Sequence, residues 1–366
     1  MPLPLFIADL PETLLRFLPR PTRPGLQAVG APGPDSPVLL TGNFGLTVRR
    51  LRRALRGQDV WLVVADSRGI NVWCAACGGH MTHDDVITAL QDVDDRVRTR
   101  RVVLPPMLAP GAEQRLVEHA TGWKLRWGPM HLEDLPAWLD TQGPIPEALR
   151  RVRFPTRDRV DMALAWAFPI TLAAAALAAW LLDPILGLAL AIALPAITIA
   201  TFLGIPRLPF TGPARWLTGL VGAVGATTIG AAVLALGGGL TPALLGWLAG
   251  INALAMLTVA GDAAGTTPIV PGSLDKLHKQ ARLALRVDRC HGCGLCARLC
   301  PTGVFELRAG AIAVQRPEAC LACAACAIQC PHDALWFEGI DESTSWEPTR
   351  LRASRTNLLG KRVPLP

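Results

Sequence analysis

The interpretation of this chain depends on one stretch, Gly69-Ile70-Asn71-Val72-Trp73-Cys74-Ala75-Ala76-Cys77-Gly78-Gly79-His80-Met81-Thr82-His83. It presents two thiols and two imidazoles in the pattern C-x2-C-x2-H-x2-H, which are residue types that bind zinc. In one continuous helix, ligands three residues apart would drift around the axis by about 60° at each step, so one tetrahedral ion could not collect all four. A break at Gly78-Gly79 would allow convergence, and a structural zinc site therefore stays an alternative.

Composition indicates that part of the chain lies in lipid. Of 366 residues, 51% are hydrophobic, yet only 5% are aromatic and none is tyrosine, which is unusual for a soluble enzyme. The net charge of +7 would suit nucleic acid, but the arginines crowd the edges of apolar runs instead of alternating with aromatic residues. We therefore expect contact with anionic membrane lipid and no nucleic-acid partner.

The ten cysteines are clustered. Eight fall between Cys290 and Cys330, and the other two are Cys74 and Cys77. Such grouping is typical of metal ligands and not of a disulfide framework.

Residues 38–150 show the alternation of an α/β domain. Apolar strands are predicted at Val38–Thr41, Val60–Ala65, Arg101–Leu104 and Trp123–Trp127, with helical patterns between them. Buried strands separated by helices imply a parallel, Rossmann-like sheet covered on both faces.

Ligands of such sheets bind beyond the carboxyl ends of the strands. The first two predicted strands end in Thr41-Gly42-Asn43 and in Asp66 to Asn71. The segment from Cys74 to Leu90 is predicted to be helical, so the cysteine-bearing stretch would follow the second strand directly.

Residues 160–262 are predicted to form a bundle of four transmembrane helices. Each uncharged run is close to the roughly 20 residues that cross a bilayer, and Gly219, Gly222 and Gly225 are expected to pack helices together. The runs are Met162–Leu182, Ile185–Ile205, Trp216–Leu236 and Pro242–Ala260. The loops on one side lack Lys and Arg, which predicts a multi-pass inner-membrane protein with both soluble domains in the cytoplasm.

Residues 285–340 carry the most specific signal. Two runs of C-x2-C-x2-C-x3-C-P have the spacing of an α+β bacterial dicluster ferredoxin, in which three cysteines of a run hold one [4Fe–4S] cluster and the fourth ligates the other. Cluster 1 would be held by Cys290, Cys293, Cys296 and Cys330. Cluster 2 would be held by Cys300, Cys320, Cys323 and Cys326.

The remaining segments are predicted to connect or flank these domains. They are an N-terminal arm rich in Pro and Arg that lies over the first domain (1–37), a linker (263–284) and a basic tail (341–366).

The N-terminal domain resembles the corrinoid-binding domain of the mercury-methylation corrinoid protein family, itself similar to part of the corrinoid iron–sulfur protein of the acetyl-CoA pathway. Residues 69–76 match the cap-helix signature of that family. Further matching segments are Pro37–Thr41, Val103–Pro105, Trp127–Pro129 and Gly265–Pro268. The ferredoxin part is similar to the separately encoded dicluster partner, so the chain reads as a fusion.

The resemblance implies a corrinoid cofactor with Cys74 as the lower axial ligand of its cobalt. An anionic thiolate pushes electron density onto the metal, which helps a methyl group leave as a carbanion equivalent towards Hg(II) or another methyl acceptor. The ferredoxin would take electrons from a low-potential donor and return Co(II) to Co(I), and the methyl group would come from a methylated folate or a donor protein. The implied corrinoid contacts are Thr41, Gly42, Asn43, Asn71, Val72, Trp73, Cys74, Ala75 and Ala76.

The chain departs from the family at Cys77-Gly78, where the family has Gly-Lys, and in lacking both the cysteine pair at the end of the partner ferredoxin and a fifth span. Cys77 could bind incoming metal, form a reversible disulfide or merely pack, whereas His80 and His83 are expected to face solvent or support the site indirectly. Two alternative functions stay open. One is a corrinoid methyl carrier for another one-carbon acceptor, and the other is a membrane-bound electron-transfer protein without corrinoid that holds zinc or a redox disulfide through Cys74 and Cys77.

Overall fold

The computed structural model describes residues 3–16, 18–210, 212–266, 281–308, 310–339, 354–356 and 362–364. The chain divides into two compact units. Unit 1 comprises Met1–Leu18 and Phe154–Gly272, and unit 2 comprises Pro19–Arg153 and Ser273–Pro366.

The helices, in chain order, are α1 (Leu3–Leu14), α2 (Gly45–Ala54), α3 (Val72–Cys77), α4 (His83–Gln91), α5 (Gln114–Thr121), α6 (Leu135–Thr141), α7 (Glu147–Arg150), α8 (Thr156–Leu181), α9 (Pro184–Gly204), α10 (Arg215–Leu236), α11 (Pro242–Thr266), α12 (Leu295–Leu299) and α13 (Ala325–Ile328). The strands are β1 (Gly25–Val29), β2 (Val38–Gly42), β3 (Val60–Ala65), β4 (Arg101–Leu104), β5 (Lys124–Trp127), β6 (Ala281–Leu285), β7 (Phe305–Arg308), β8 (Ala311–Val314), β9 (Leu335–Gly339), β10 (Ser354–Thr356) and β11 (Arg362–Pro364).

The α/β part of unit 2 is a five-stranded sheet in the order β1-β3-β2-β4-β5. Strands β2 to β5 are parallel, and β1 pairs antiparallel with β3 at the edge. Every residue of β2 and β3 is buried, because helices and their connections cover both faces with separate hydrophobic clusters. The predicted α/β architecture and its four parallel strands are confirmed.

The prediction of an N-terminal arm without regular structure was wrong for two segments. Residues 3–14 form α1, which packs on α8 within unit 1, and residues 25–29 form the edge strand β1. Pro4 lies in the first turn of α1, where its missing N–H has no partner to lose, whereas Pro11 lies inside the helix. Arg20 and Thr22 do lie over the first domain, since their N–H groups donate to Gly69 O (3.2 Å) and Asn43 O (2.8 Å).

The segment from Cys74 to Leu90, predicted to be helical, forms parts of two helices. The chain breaks between α3 and α4, because Gly78 caps α3 and Gly79 takes a left-handed φ of 72°. Helix α4 then starts anew with a capping box, in which Thr82 and Asp85 satisfy each other's backbone donors.

Unit 1 contains four helices long and apolar enough to cross a membrane, α8 to α11. Large apolar side chains on them are exposed, including Trp180 at 80%, Leu236 at 91% and Leu254 at 72%. Surface of this kind is typical of contact with lipid. The predicted glycine packing is confirmed, since Gly219 and Gly222 lie against α11 and Gly225 lies against α9.

In the ferredoxin part, β6 pairs antiparallel with β9, and β7 and β8 form a hairpin. Most of the predicted linker and tail lies outside the described residues. The linker is shorter than predicted at both ends, because α11 continues to Thr266 and Ala281–Leu285 already belongs to the ferredoxin sheet. Within the tail, β10 and β11 pair antiparallel.

Candidate functional site

The carboxyl ends of β2 and β3 are tied together by one buried side chain. Asn43, only 2% exposed, accepts hydrogen bonds at Oδ1 from the N–H groups of Ser67 (2.9 Å) and Gly69 (2.8 Å) and from Ser67 Oγ (3.0 Å). Its amide donates to Asp66 Oδ1 at 2.9 Å. Because one amide satisfies so much of the loop after β3, the loop is held in the shape that starts α3.

Cys74 lies in the first turn of α3, half-buried. Asn71 caps this turn, since its Oδ1 accepts from the Cys74 N–H at 2.9 Å. The same amide donates from Nδ2 to Cys74 Sγ at 3.2 Å. A donor aimed at the sulfur stabilises its negatively charged form, which is the form that binds metals.

The residues predicted to contact a corrinoid fall into two groups. Asn71, Trp73 and Cys74 are partly exposed. The others are buried beneath the first turn of α3 or in the core of the domain. This buried group comprises Thr41, Gly42, Asn43, Val72, Ala75 and Ala76.

Direct cofactor contact by the buried group stays a prediction, and the role the geometry gives those residues is to position the loop and α3. Gly42 illustrates this role, because an added Cβ would lie 2.6 Å from Ser67 Oγ.

The other potential ligands of the opening stretch point to different neighbours. His80 Nδ1 lies 3.5 Å from Arg68 Nη1, and burial together with the Arg68 charge lowers the pKa of His80. His83 Nε2 lies 3.6 Å from Asp84 Oδ1. Among the described residues, no three His, Cys, Asp or Glu side chains lie close enough together to hold one metal ion. The role of Cys77, which ends α3 half-buried, stays open.

The eight ferredoxin cysteines fall into two sets of four, each around its own cavity. One cavity is lined by Cys290, Cys293, Cys296 and Cys330. The other is lined by Cys300, Cys320, Cys323 and Cys326. These are the sets proposed for clusters 1 and 2, with the fourth cysteine of each run crossing to the other cavity.

The surroundings of these sulfurs suit iron–sulfur clusters. Burial raises the pKa of Cys296 and of Cys323 to about 12 and that of Cys320 to about 11. Thiolates at such positions need the positive charge of bound iron. Backbone N–H groups also point at sulfur, as Val304 does at Cys300 Sγ (3.3 Å) and Ala334 at Cys330 Sγ (3.3 Å); such bonds tune cluster potentials.

The ferredoxin part is docked on the α/β part through contacts that our reading of the sequence missed. Gln329, 4% exposed, donates from Nε2 to Ala109 O (2.8 Å) and Ala112 O (2.6 Å) and accepts from Gln114 N (3.0 Å). Arg151 Nη1 donates to Cys300 O at 3.0 Å. The sequence offered one signal for this dock. Gln329 directly follows the apolar segment 325–328, and a polar side chain buried there needs a hydrogen-bond partner.

Comparisons with known proteins agree with this division of unit 2. Residues 17–139 match the family model described as CO dehydrogenase/acetyl-CoA synthase delta subunit. Residues 289–335 match the 4Fe-4S dicluster domain. The chain therefore carries a 4Fe-4S dicluster domain next to the α/β domain.

Curated relatives match part of the chain. The acetyl-CoA decarbonylase/synthase complex subunit gamma of Archaeoglobus fulgidus is 32% identical over 149 residues, covering 38% of this chain and 31% of the relative. The same subunit of Methanopyrus kandleri is 36% identical over 129 residues, covering 34% and 28%. The chain thus spans less than a third of the length of these relatives, and the predicted relation to the acetyl-CoA pathway protein is supported for the α/β domain.

Proposed function

We propose that this chain is a membrane-anchored methyl-transfer protein that depends on a corrinoid and on two [4Fe–4S] clusters. Cys74 would hold the cobalt of the corrinoid, and a metal acceptor such as Hg(II) would receive the methyl group. The observation that carries the proposal is the position of the Cys74 thiol, half-buried and held by Asn71, beyond the carboxyl ends of β2 and β3, where ligands of parallel sheets bind.

The chain's own residues supply the ligand and its orientation. A bound corrinoid would supply a cobalt centre that accepts and gives up a methyl group. Asn71 fixes the Cys74 backbone through its oxygen and favours the thiolate through its amide. Asn43 in turn holds the loop from which Asn71 projects, so the sulfur is set by two successive layers of hydrogen bonds.

The dicluster domain is the electron source for the same unit. Its dock through Gln329 and Arg151 keeps it beside the α/β domain without a diffusional search. The four apolar helices anchor the chain in a bilayer, with the arginine-bearing ends on the cytoplasmic side. A methylated folate or a methyl-donor protein supplies the methyl group.

A second acceptor class is favoured by the relatives. They are named as subunits of an acetyl-CoA decarbonylase/synthase complex, so a corrinoid methyl carrier that serves a one-carbon acceptor in another protein is the alternative. The two functions share the cobalt site and differ only in what receives the methyl group.

Anaerobic purification of the full chain in detergent, followed by cobalt and iron analysis and a visible spectrum, tests the proposal. We expect cobalt with a thiolate-ligated spectrum in addition to iron. Iron without cobalt, after reconstitution with corrinoid, would instead support a membrane-bound electron-transfer protein. Methylated protein mixed with Hg(II) should yield methylmercury; cobalt-loaded protein that gives none indicates the alternative acceptor.

A further inference from the structure

The two halves of the dicluster domain repeat each other in sequence but differ in their surroundings. Cys293 and Cys323 hold the same place in the two C-x2-C-x2-C runs. Cys293 is exposed, whereas Cys323 is half-buried and packs with Ala109 and Trp127 of the α/β domain. The residues two positions earlier differ in exposure in the same way, since His291 is exposed and Leu321 is half-buried.

The half-buried member of this pair, Cys323, belongs to cluster 2. The hydrophobic cluster at the dock joins Ala109 to Leu299 and Ala325, which adjoin Cys300 and Cys326. The backbone at Cys300-Pro301 is also held, because Arg151 donates to Cys300 O and Val152 N donates to Pro301 O at 2.9 Å. Cluster 2 therefore adjoins the α/β domain through its helix ends and one of its sulfurs. Cluster 1 adjoins it through Cys330, which lies between Gln329 and Pro331, whose carbonyl accepts from Arg115 Nη1 at 2.9 Å. The two clusters differ in that cluster 1 has the exposed ligand, Cys293.

The dock continues inward to the helix that carries Cys74. The loop that contains Ala109 passes under α3 two residues later, where a Cβ added to Gly111 would lie 2.9 Å from Ala76 Cβ and 2.4 Å from Met81 O. Trp127 spans the same region, with Nε1 donating to Gln114 Oε1 at 2.8 Å. Packed protein thus connects Cys323 with α3 without an intervening solvent layer.

The open side belongs to cluster 1 and has a definite chemical character. We call it the cluster-1 face, comprising Val287, Asp288, Arg289, His291, Cys293, Arg298, Glu306, Leu307 and Arg308. Val287 is 73% exposed and Leu307 52% exposed, so this face offers apolar side chains as well as charge to a partner.

The charged groups of the cluster-1 face favour an acidic partner. Its three arginines outnumber Asp288 and Glu306. Arg298 also donates to Cys293 O at 3.0 Å, so positive charge lies beside the exposed ligand. Arg308 pairs with Glu306 at 2.8 Å, which leaves Arg289 and Arg298 against Asp288. An exposed face with this net positive charge fits an acidic one-electron carrier, because complementary charge steers such transient encounters.

We propose that electrons enter at cluster 1 from an acidic one-electron carrier protein bound to the cluster-1 face, and leave from cluster 2 towards α3. Each encounter oxidises the carrier by one electron and reduces cluster 1 by one, and the transfer to cluster 2 restores cluster 1. No bond or proton is exchanged. Only the last step, delivery to cobalt near Cys74, rests on the proposed function.

The first experiment measures reduction of the iron-loaded full chain by a reduced acidic bacterial ferredoxin in stopped flow. Arg289→Glu should lower the second-order rate constant about tenfold at low salt, and added salt should slow the wild type. The control Arg56→Glu makes the same charge change on an exposed arginine of the α/β domain and should stay within about twofold. The amount of cluster that dithionite reduces reports cluster integrity and should be equal in all three proteins.

Equal rates in wild type and Arg289→Glu, or an equal loss in Arg56→Glu, would overturn the docking face. The second experiment adds a soluble lanthanide chelate to the reduced protein and follows electron-spin relaxation of each cluster. Cys293→Ser and Cys323→Ser identify the signals of clusters 1 and 2. Faster relaxation of cluster 1 than of cluster 2 is expected, and the reverse order would overturn the assignment of the inner cluster.

Neither experiment needs cobalt. If the protein binds cobalt but the docking or relaxation result fails, the proposed function still stands. If both results are obtained but the protein binds no cobalt, only the final electron acceptor is removed from the proposal.

Discussion

The two kinds of cysteine site in unit 2 differ in how much the chain itself supplies. Each cluster site brings four sulfurs around one cavity, and backbone N–H groups of the same loops donate to several of them. The site on α3 brings the thiol of Cys74, which is half-exposed and receives a hydrogen bond from the Asn71 amide. The cluster ligands can therefore be predicted from the spacing of the cysteines, whereas the ligand on α3 can be assigned only together with the cofactor that it would bind.

The largest separation between the two sites should come from removing one sulfur of each. Cys326 is 8% exposed and part of the ferredoxin core, so Cys326→Ala should lose about half of the iron and destabilise the domain, because metal binding and folding are coupled there. Cys74→Ala should keep its iron and its fold. Iron and sulfide analysis with spectroscopy of the reduced protein measures both, and full iron in Cys326→Ala would contradict the assignment of cluster 2.

Within α3 the two thiols should differ strongly. Cys74→Ala should lower methyl transfer by about 100-fold or more, because loss of a ligand or of its immediate support typically has effects of that order. It should also change the visible spectrum of bound corrinoid. Cys77→Ala is the matched variant, three residues along the same helix, and should leave the spectrum unchanged. An unchanged spectrum in Cys74→Ala would remove this residue as the cobalt ligand.

The extent to which sequence predicted the fold follows from the range of the interactions involved. The strands β2 and β3 were predictable because buried parallel strands are continuous apolar runs, and the four long helices because their runs match a bilayer. The edge strand β5 instead alternates between exposed charged residues and Leu125 and Trp127. Helix α1 was missed since Pro11 weighed against helical spacing of the apolar residues around it.

The candidate sites divide in the same way. Local spacing was enough to group the cluster cysteines, but the break at Gly78-Gly79 decided the shape of the cap segment, and the capping box at Thr82 that stabilises the restart was overlooked. Asn43 was predicted as a cofactor contact, yet the hydrogen-bond partners of its side chain lie 23 to 26 residues away. The sequence does not show which of its possible partners a buried amide will choose.

The dock between the ferredoxin and the α/β part allows a third test. Gln329→Ala would leave two carbonyl oxygens and one N–H without their partner, and buried groups left unsatisfied cost about 1–3 kcal/mol each. We expect unit 2 to lose about 3 kcal/mol of stability against denaturant and cluster 2 to become accessible to the lanthanide chelate.

Gln315→Ala removes the same side chain from an exposed position of the ferredoxin and should change the free energy of unfolding by less than about 0.5 kcal/mol. If Gln329→Ala were equally silent, the hydrogen bonds of Gln329 would not hold the two parts together.

The smallest expected effect isolates the amide of Asn71. Asn71→Asp keeps an oxygen that can cap α3 but replaces the donor to Cys74 Sγ, 3.2 Å away, with a negative charge. Two like charges about 4 Å apart in water repel by about 1 kcal/mol, so alkylation of Cys74 by iodoacetamide at neutral pH should slow about fivefold. The measurement uses iron-loaded Cys77→Ala protein without corrinoid, in which the cluster cysteines are protected.

Asn71→Ser provides the matched control, because it retains a good cap and adds no charge. Its alkylation rate should fall between those of the parent and of Asn71→Asp. This order would show that the amide acts on the sulfur itself and not merely on the helix, since both variants preserve the helix start. Equal rates in all three proteins would mean that Asn71 only positions the backbone, and the cap site would then resemble the cluster loops in depending on main-chain geometry.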